Sequence, residues 1–467
     1  MTDSPPRPRR IRPVLSCLVS ALALAACQPS HGRLHDLTER RISPELSQTI
    51  PVMNQFGAPQ PMPPTQSNAQ IAADFIALSF QMESGRQIER LSRFEGPITI
   101  AVAPGAPASL SPDLDRLIAR LRQEARIDIS RRAHGPDAAN ITIETLPRDR
   151  MQRLVPEAAC FVVPRVTSWA EFRRARNSRD MDWTTLDRRD HVTVFLPNDV
   201  APQEVRDCLH EEVSQALGPL NDLYRLSDSV FNDDNFHAVL TGYDMLILRA
   251  YYDGALRSGM TRAEVAAALP DILARLNPRG DAPAAPVETR PTPRAWIEAI
   301  ETALGPGTRD AARVPAAQRA VSLAREAGLT DARLAFSYFA LGRLSLASDV
   351  EGSLNAFLAA ADIYDTIAPG GIHAAHIDMQ LAGFALSSGR PEDALRLSTQ
   401  AMGGATQAQN ASLLSTLLMI RAEALEALGR ASEARQVRLD SLAWGRYGFA
   451  NTTAVGLRLT EVAALSP

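Results

Sequence analysis

The chain has 467 residues, 45% of them hydrophobic, with 49 basic against 53 acidic side chains and a formal net charge of -4. That length carries two or three domains with enough apolar residues for packed cores, and the slightly acidic balance offers no electrostatic footprint for nucleic acid. Every basic residue is arginine, a bias read as that of a GC-rich genome in preference to an arginine-specific function.

The first segment is a targeting signal. Arg7, Arg9, Arg10 and Arg12 make a basic start, residues 14–26 are apolar, and Leu24-Ala25-Ala26-Cys27 resembles a bacterial lipobox. Thirteen apolar residues are too few for a preferred spanning helix, so residues 1–27 read as a lipoprotein signal removed on export, with an uncleaved anchor as the alternative. Cys27 then becomes the lipidated first residue of the mature chain, held on a membrane by about 0.8 kcal/mol per buried methylene. Gln28, where an Asp is absent, resembles the sorting pattern of Gram-negative outer-membrane lipoproteins. The folded part is expected to face the periplasm.

Residues 28–67 are rich in Pro, Gln and Ser without helical period and read as a disordered tether. From residue 68 to 276 the pattern is that of an α+β domain. Residues 71–82 have apolar side chains at helical spacing, 97–102 form a strand, 114–121 a helix, and 141–143 and 192–196 strands, with a further apolar run at Cys160-Phe161-Val162-Val163. Once Cys17 has left with the signal and Cys27 has taken lipid, Cys160 and Cys208 remain. In an oxidising compartment they read as a disulfide pinning strand to helix, with two buried free thiols as the alternative.

Residues 211–222 read Glu-Glu-Val-Ser-Gln-Ala-Leu-Gly-Pro-Leu-Asn-Asp. They fit the frame of the metzincin motif H-E-x-x-H-x-x-G-x-x-H with its histidines replaced. In the register fixed by Ala216-Leu217-Gly218, the ligand positions fall on Glu211, Gln215 and Asn221 and the general-base position on Glu212. The alternative register through His210-Glu211 puts Ser214 at the second ligand and displaces Gly218, and is rejected. One carboxylate and two amides make a poor zinc set, so no cofactor is expected and zinc least of all. Glu211 and Glu212, adjacent on a helix, are expected to point apart. Downstream, Ser229-Val230-Phe231 stands where metzincins carry their methionine turn, and Thr241-x-x-Asp244 is a capping box opening a closing helix.

The segment from about 68 to 275 resembles the bacterial lipoprotein family catalogued as domain of unknown function 2927. The resemblance is carried by Asp74-Phe75-Ile76-Ala77-Leu78, Arg93-Phe94-Glu95-Gly96-Pro97, Ala139-Asn140-Ile141-Thr142, Cys160-Phe161, the Glu211 to Gly218 stretch and Asp228-Ser229-Val230-Phe231. It implies a lipoprotein and assigns no activity.

Residues 277–293 hold five prolines and read as an exposed, semi-rigid linker. Beyond it, residues 294–467 are helical and repeat: Ser348-Asp349-Val350-Glu351, Gly389-Arg390-Pro391-Glu392 and Gly429-Arg430-Ala431-Ser432 recur at about forty residues. The pattern resembles tetratricopeptide repeats with a longer period. His373 and His376 share a helical face without a third ligand and read as a solvated pair. Asp228, Asp233 and Asp234, with Asn232 and Asn235, suggest a calcium loop but fail the EF-hand spacing.

The expected architecture is an α+β zincin-like domain followed by an all-α, tetratricopeptide-like helical-repeat domain. The expected function is a membrane-anchored, non-catalytic binding or assembly factor whose repeats take a protein or peptide partner. The alternative is an unusual metal-dependent hydrolase or peptidase with Glu212 as general base. Cys27→Ser is expected to move the protein from the membrane fraction to the soluble fraction, which detergent-free fractionation measures; persistence in the membrane would overturn the lipobox reading.

Overall fold

A computed structural model describes residues 52–135, 137–156, 158–234, 236–281 and 287–466. Cys27, the rest of the signal segment and Asn235 lie outside the described residues.

Five short runs of β-branched and aromatic residues form one sheet: β1 (Ile98–Val102), β2 (Ile129–Arg131), β3 (Ile141–Leu146), β4 (Phe161–Pro164) and β5 (Val192–Pro197). The order is β2-β1-β3-β5-β4, parallel throughout except for β4, which runs antiparallel to β5. All six residues of β5 are buried, so it is apolar without alternation, as a strand covered on both faces must be. The expected strands at 97–102, 141–143 and 192–196 are present. Strand β2 went unread because only Ile129 of its three residues is buried.

Around the sheet stand α1 (Asn68–Ser79), α2 (Leu110–Gln123), α3 (Arg148–Gln152), α4 (Trp169–Ala175), α5 (Pro202–Leu217), α6 (Gly242–Tyr251) and α7 (Arg262–Leu276). Helix α2 buries Leu110, Leu114, Leu117, Ile118 and Leu121, an i, i+4, i+7 stripe. Helices α6 and α7 each open on a complete capping box, Thr241 with Asp244 and Thr261 with Glu264. Cys160 and Cys208 form the expected disulfide, which ties the residue ahead of β4 to the middle of α5.

The C-terminal region is all helical: α8 (Arg294–Leu304), α9 (Asp310–Glu326), α10 (Ala332–Ser345), α11 (Val350–Ile367), α12 (Ile372–Ser387), α13 (Pro391–Gln407), α14 (Ala411–Ala427), α15 (Ala431–Gly448) and α16 (Thr452–Ala463). Helices α8 to α15 each pack chiefly on their neighbours in sequence, and α16 folds back chiefly on α14. Gly389 and Gly429 sit at φ 67° and 75°. There the N–H groups of Arg390 and Arg430 reach back to the carbonyls of Ala385 and Leu425 at 2.9 Å, a left-handed helix stop that glycine makes without strain. The turn at Ser348-Asp349 closes differently: Asp349 caps α11 through the Gly352 N–H at 2.8 Å. That difference in turn chemistry is why its sequence matches the other two poorly.

Each region has its own core, and two aromatic residues of the sheet domain cross into that of the helices. Tyr224 and Phe236, from the loop between α5 and α6, belong to the apolar cluster of the helical region. The Phe236 ring lies 5.1 Å from Phe339 and 4.6 Å from His373, and Tyr224 meets Trp296 edge-on at 5.0 Å. On the other flank Gln203 of α5 exchanges hydrogen bonds with Asn410 and Ser412 at the start of α14, and Tyr447 donates to Asp113 at 2.9 Å. Residues 52–67, within the expected tether, form no helix or strand up to the cap of α1, yet they are fastened: the Asn54 N–H donates to Ala443 and Phe56 packs on Trp444. Both ends of the Pro-rich linker are clasped as well, by Asn68 through Asn277 and Asp281 and by Gln70 through Glu288.

Phe236→Ala removes the aromatic wedge between the regions and is expected to cost about 3 kcal/mol, the usual loss for a buried phenylalanine. Scanning calorimetry is expected to resolve the single transition of the parent into two.

Candidate functional site

Helix α5 carries Glu211 to Leu217, the stretch whose sequence resembles a zinc-protease frame. Its end is set by Gly218, where a Cβ would stand 2.9 Å from the Tyr251 ring. The carbonyls left open at that end accept hydrogen bonds from the buried guanidinium of Arg189, which binds Gln215, Ala216 and Gly218 and lies 5.0 Å above the Trp183 ring. A cation at a helix C-terminus meets the negative end of its dipole. Arg189 carries no sequence signal: it sits in Asp187-Arg188-Arg189-Asp190, a run that reads as a solvated surface.

His210 faces away from this site. It is buried, accepts the Leu240 N–H on Nδ1 at 3.3 Å, and burial, then Arg120, Arg206 and Arg116, hold its pKa well below the usual histidine range. The register through His210 therefore has no geometric support. In the preferred register Asn221 is buried and spends its amide on the Ala77 carbonyl at 3.0 Å, tying the chain after α5 to the end of α1. Gln215 is half-buried. Among the described residues, the group with ligand atoms close together is Glu211, Glu212 and Cys160, all within 4.8 Å. Two points depart from the sequence reading. Glu211 and Glu212 converge despite adjacent positions, because long side chains swing back toward one another where backbone directions diverge. Cys160 joins them, but its sulfur is bonded to Cys208 and offers no thiolate.

The turn expected to stand below the helix is held by Asp244. Its carboxylate accepts from Ser229 Oγ, from the Val230 N–H at 3.1 Å and from the Thr241 N–H at 2.8 Å. Phe231 is buried in the domain core and its carbonyl accepts the Leu223 N–H at 2.9 Å. Asp74 plays the same part elsewhere: buried, it takes hydrogen bonds from Gln70, Tyr243 and Arg225, joining α1 to α6 and to the loop after α5.

Around Glu211 and Glu212 gather Glu83, Asp222 and Asp233, which sequence spacing did not connect. Glu83 and Asp222 share a hydrogen bond, and Tyr224 donates its hydroxyl to Asp233 at 3.2 Å. Burial, then Asp233, push Glu83 up to about 7; burial, then Asp233 and Glu83, push Glu211 to about 8. Glu212 and Asp222 are raised well above the carboxylate range, first by burial and then by neighbouring acids. Glu83 is exposed at the rim; the crowding is around its carboxyl. Burial beside other acids disfavours the charged form of such groups, so they hold their protons to higher pH.

Glu83 and Asp233 also line a cleft of about 670 Å³ between the two regions. Its far wall is Arg294, Glu301, Phe336, Phe339, Arg343 and His376 from the helices. His373 and His376 are 1% and 2% exposed, so they are not the solvated pair expected from sequence. The Phe236 ring packs on both at 4.6 and 4.9 Å, and His373 Nε2 lies 3.5 Å from Asp234. Among the described residues the loop acids are engaged within the protein: Asp234 caps its own turn through the Phe236 N–H, Asp233 takes the Tyr224 hydroxyl, and Asp228 faces His237 at 3.8 Å.

Residues 68–271 match the family described as protein of unknown function (DUF2927). No curated protein and no solved structure matches the chain.

The acid cluster fixes a sign for stability against pH. Carboxyls raised from 4.5 to about 7 and about 8 are protonated in both states below 4.5; above it the unfolded chain ionises first, so stability falls until the folded groups ionise too. His376 and His237, pushed down to about 3 by burial, give the opposite slope below 6.5. Between 6.5 and about 8 the carboxyls dominate. In chelator-containing buffer the urea midpoint is expected to decline across that window and to flatten in Glu83→Gln/Glu211→Gln; an unchanged slope would contradict the cluster.

Proposed function

We propose that this chain is a lipid-anchored envelope protein that binds a segment of a partner polypeptide in the cleft between a zincin-like domain and a tetratricopeptide-like helical array. The observation that carries the reading is that both regions wall one cleft. Of the three zinc-ligand positions in the resembled frame, Asn221 spends its amide on the Ala77 carbonyl, and the Cys160 sulfur beside Glu211 and Glu212 is held in a disulfide. The cleft mixes aromatic faces with Arg294 and Glu301, whose exposed side chains suit a polar peptide backbone and its side chains.

The zincin-like reading rests on α5 following the last buried strand, on the Gly218 stop and on the Asp244-bound turn at Ser229-Val230-Phe231. The repeat reading rests on the left-handed stops at Gly389 and Gly429 and on helices packed in sequence order. A disulfide agrees with an oxidising compartment, and Cys27 supplies the anchor.

The hydrolase reading has one observation in its favour, the approach of Glu211 to Glu212. Against it, Glu212 is 3% exposed and holds its proton, whereas a general base must be ionised and within reach of substrate.

A photo-crosslinking residue placed at Thr302, on the cleft wall, is expected to give a discrete adduct in cells. The adduct is expected to disappear with Arg294→Glu and to persist with Glu212→Gln. Peptidase activity abolished by Glu212→Gln, or an adduct indifferent to Arg294→Glu, would sink the proposal.

A further inference from the structure

The seam between the loop after α5 and the helices is built around three imidazoles. His237 comes from the loop and His373 and His376 from α12, and the Phe236 ring is pressed against the α12 pair at 4.6 and 4.9 Å. His237 meets His373 edge-on at 5.6 Å, His373 is stacked on Tyr364 at 4.7 Å, and His376 stands edge-on to Phe339 at 6.2 Å. Among the described residues none of the four ring nitrogens of His373 and His376 has a hydrogen-bond partner, although the two residues are 1% and 2% exposed. Both rings pack as aromatics while their polar atoms go unsatisfied, so phenylalanine would serve the packing at lower cost. His376 is also part of the cleft wall.

The surroundings suit these rings only while they are neutral. On the loop, Asp228 lies 3.8 Å from His237 Nε2, Asp234 lies 3.5 Å from His373 Nε2, and Asp233 takes the Tyr224 hydroxyl. From α10, Arg343 lies 5.5 Å from the centre of the Phe339 ring; α11 contributes Tyr364, and Glu83, Arg294 and Glu301 stand across the cleft. Arg343, His373 and His237 act on His376, and each bears or can acquire the charge that His376 would gain. We propose that this seam is an acid-operated latch: charging His376 and His237 withdraws Phe236 from α10, α11 and α12 and opens the cleft. Burial first, then Arg343 and the other two imidazoles, hold His376 down to about 3, and burial, then His373, does the same to His237. A base depressed in the closed form stabilises that form fully above its ordinary 6.5 and progressively less as pH falls below it. Each of the two imidazoles then favours opening by up to about tenfold per pH unit. Asp228, Glu83 and Asp233, raised chiefly by burial, lean the other way, so the response strengthens as pH falls to their ordinary range. Release of a bound segment on opening rests on the cleft reading above; the latch itself does not.

The test uses the detergent-solubilised full chain with spin labels on Ser84→Cys, next to Glu83, and on Thr302→Cys of α8. Distances between the labels are measured by double electron–electron resonance from pH 7 to pH 4. One short distance is expected at pH 7, and a longer one is expected to appear reversibly on acidification with the far-ultraviolet circular dichroism unchanged. His376→Phe is expected to lower the ratio of open to closed form at pH 4 by about tenfold or more, since one titrating ring is gone. His134→Gln, exposed and outside the seam, is expected to change nothing. If His376→Phe does not fold, His237→Gln takes its place with the same expected loss. A distance that does not respond to pH, equal opening in the parent and the seam variants, or opening only with loss of helical signal would each overturn the latch. Normal opening in a chain that gives no adduct at Thr302 at neutral pH would support the latch and remove the cleft reading.

Discussion

The carboxylate of Asp244 holds the base of the loop that carries the apolar side of the junction between the two regions. The chain from residue 219 to 241 leaves α5, supplies Asp222, Asp233 and Tyr224 to the acid cluster and the cleft, and sends Phe236 into the core of the helices. A loop of that length would cost more conformational entropy than its own contacts return. Asp244 offsets part of that cost by collecting Ser229 Oγ and two backbone N–H groups at full burial, where an unpaired donor would be expensive. The capping box that starts α6 and the bond that holds the turn are thus the same side chain.

At its other end the loop is held by apolar contact. Phe236 packs among Phe336, Phe339, Tyr364, His373 and His376. Keeping the His376 imidazole neutral and buried beside that ring costs stability at acid pH, as keeping the buried carboxyls of Glu211 and Glu212 neutral costs it above the ordinary carboxylate range. Folded proteins carry unfavourable buried groups of this kind mainly where something other than stability is being served.

The fold was legible where local chemistry decided it. Thr241-x-x-Asp244, the β-branched runs at 98–102 and 192–197 and the glycine stops at 389 and 429 each carry their own structural instruction. The Cys160 to Cys208 bridge followed from having two cysteines left over. The site was legible in part. Glu211 and Glu212 stood out by their place in a known frame, and Asn221 did too, although its amide serves as a clamp. Glu83 and Asp222 were invisible because nothing in their spacing says that the end of α1 and the end of α5 meet; that contact is made by Leu220 on Leu78 and by Asn221 on Ala77. Arg189 was hidden for the opposite reason, since a charged run normally belongs to water. The histidines on α12 read as solvated because a helix does not announce what another domain will lay across it.

The attachment of residues 54–57 has a mechanical side. The Asn54 N–H is bonded to Ala443, Phe56 is stacked on Trp444, and Gln409 holds the Gly57 carbonyl at 2.8 Å. Tension on the chain ahead of residue 54 therefore enters the body at α15, next to the C-terminal end, and not at α1, where the first domain begins in sequence. From α15 the load reaches the sheet domain directly, through Tyr447 to Asp113, and by way of the neighbouring α14 through Ser412 to Gln203 of α5. Helix α15 thus couples the leading segment to the sheet domain along the flank opposite the cleft, so tension there bypasses the cleft walls.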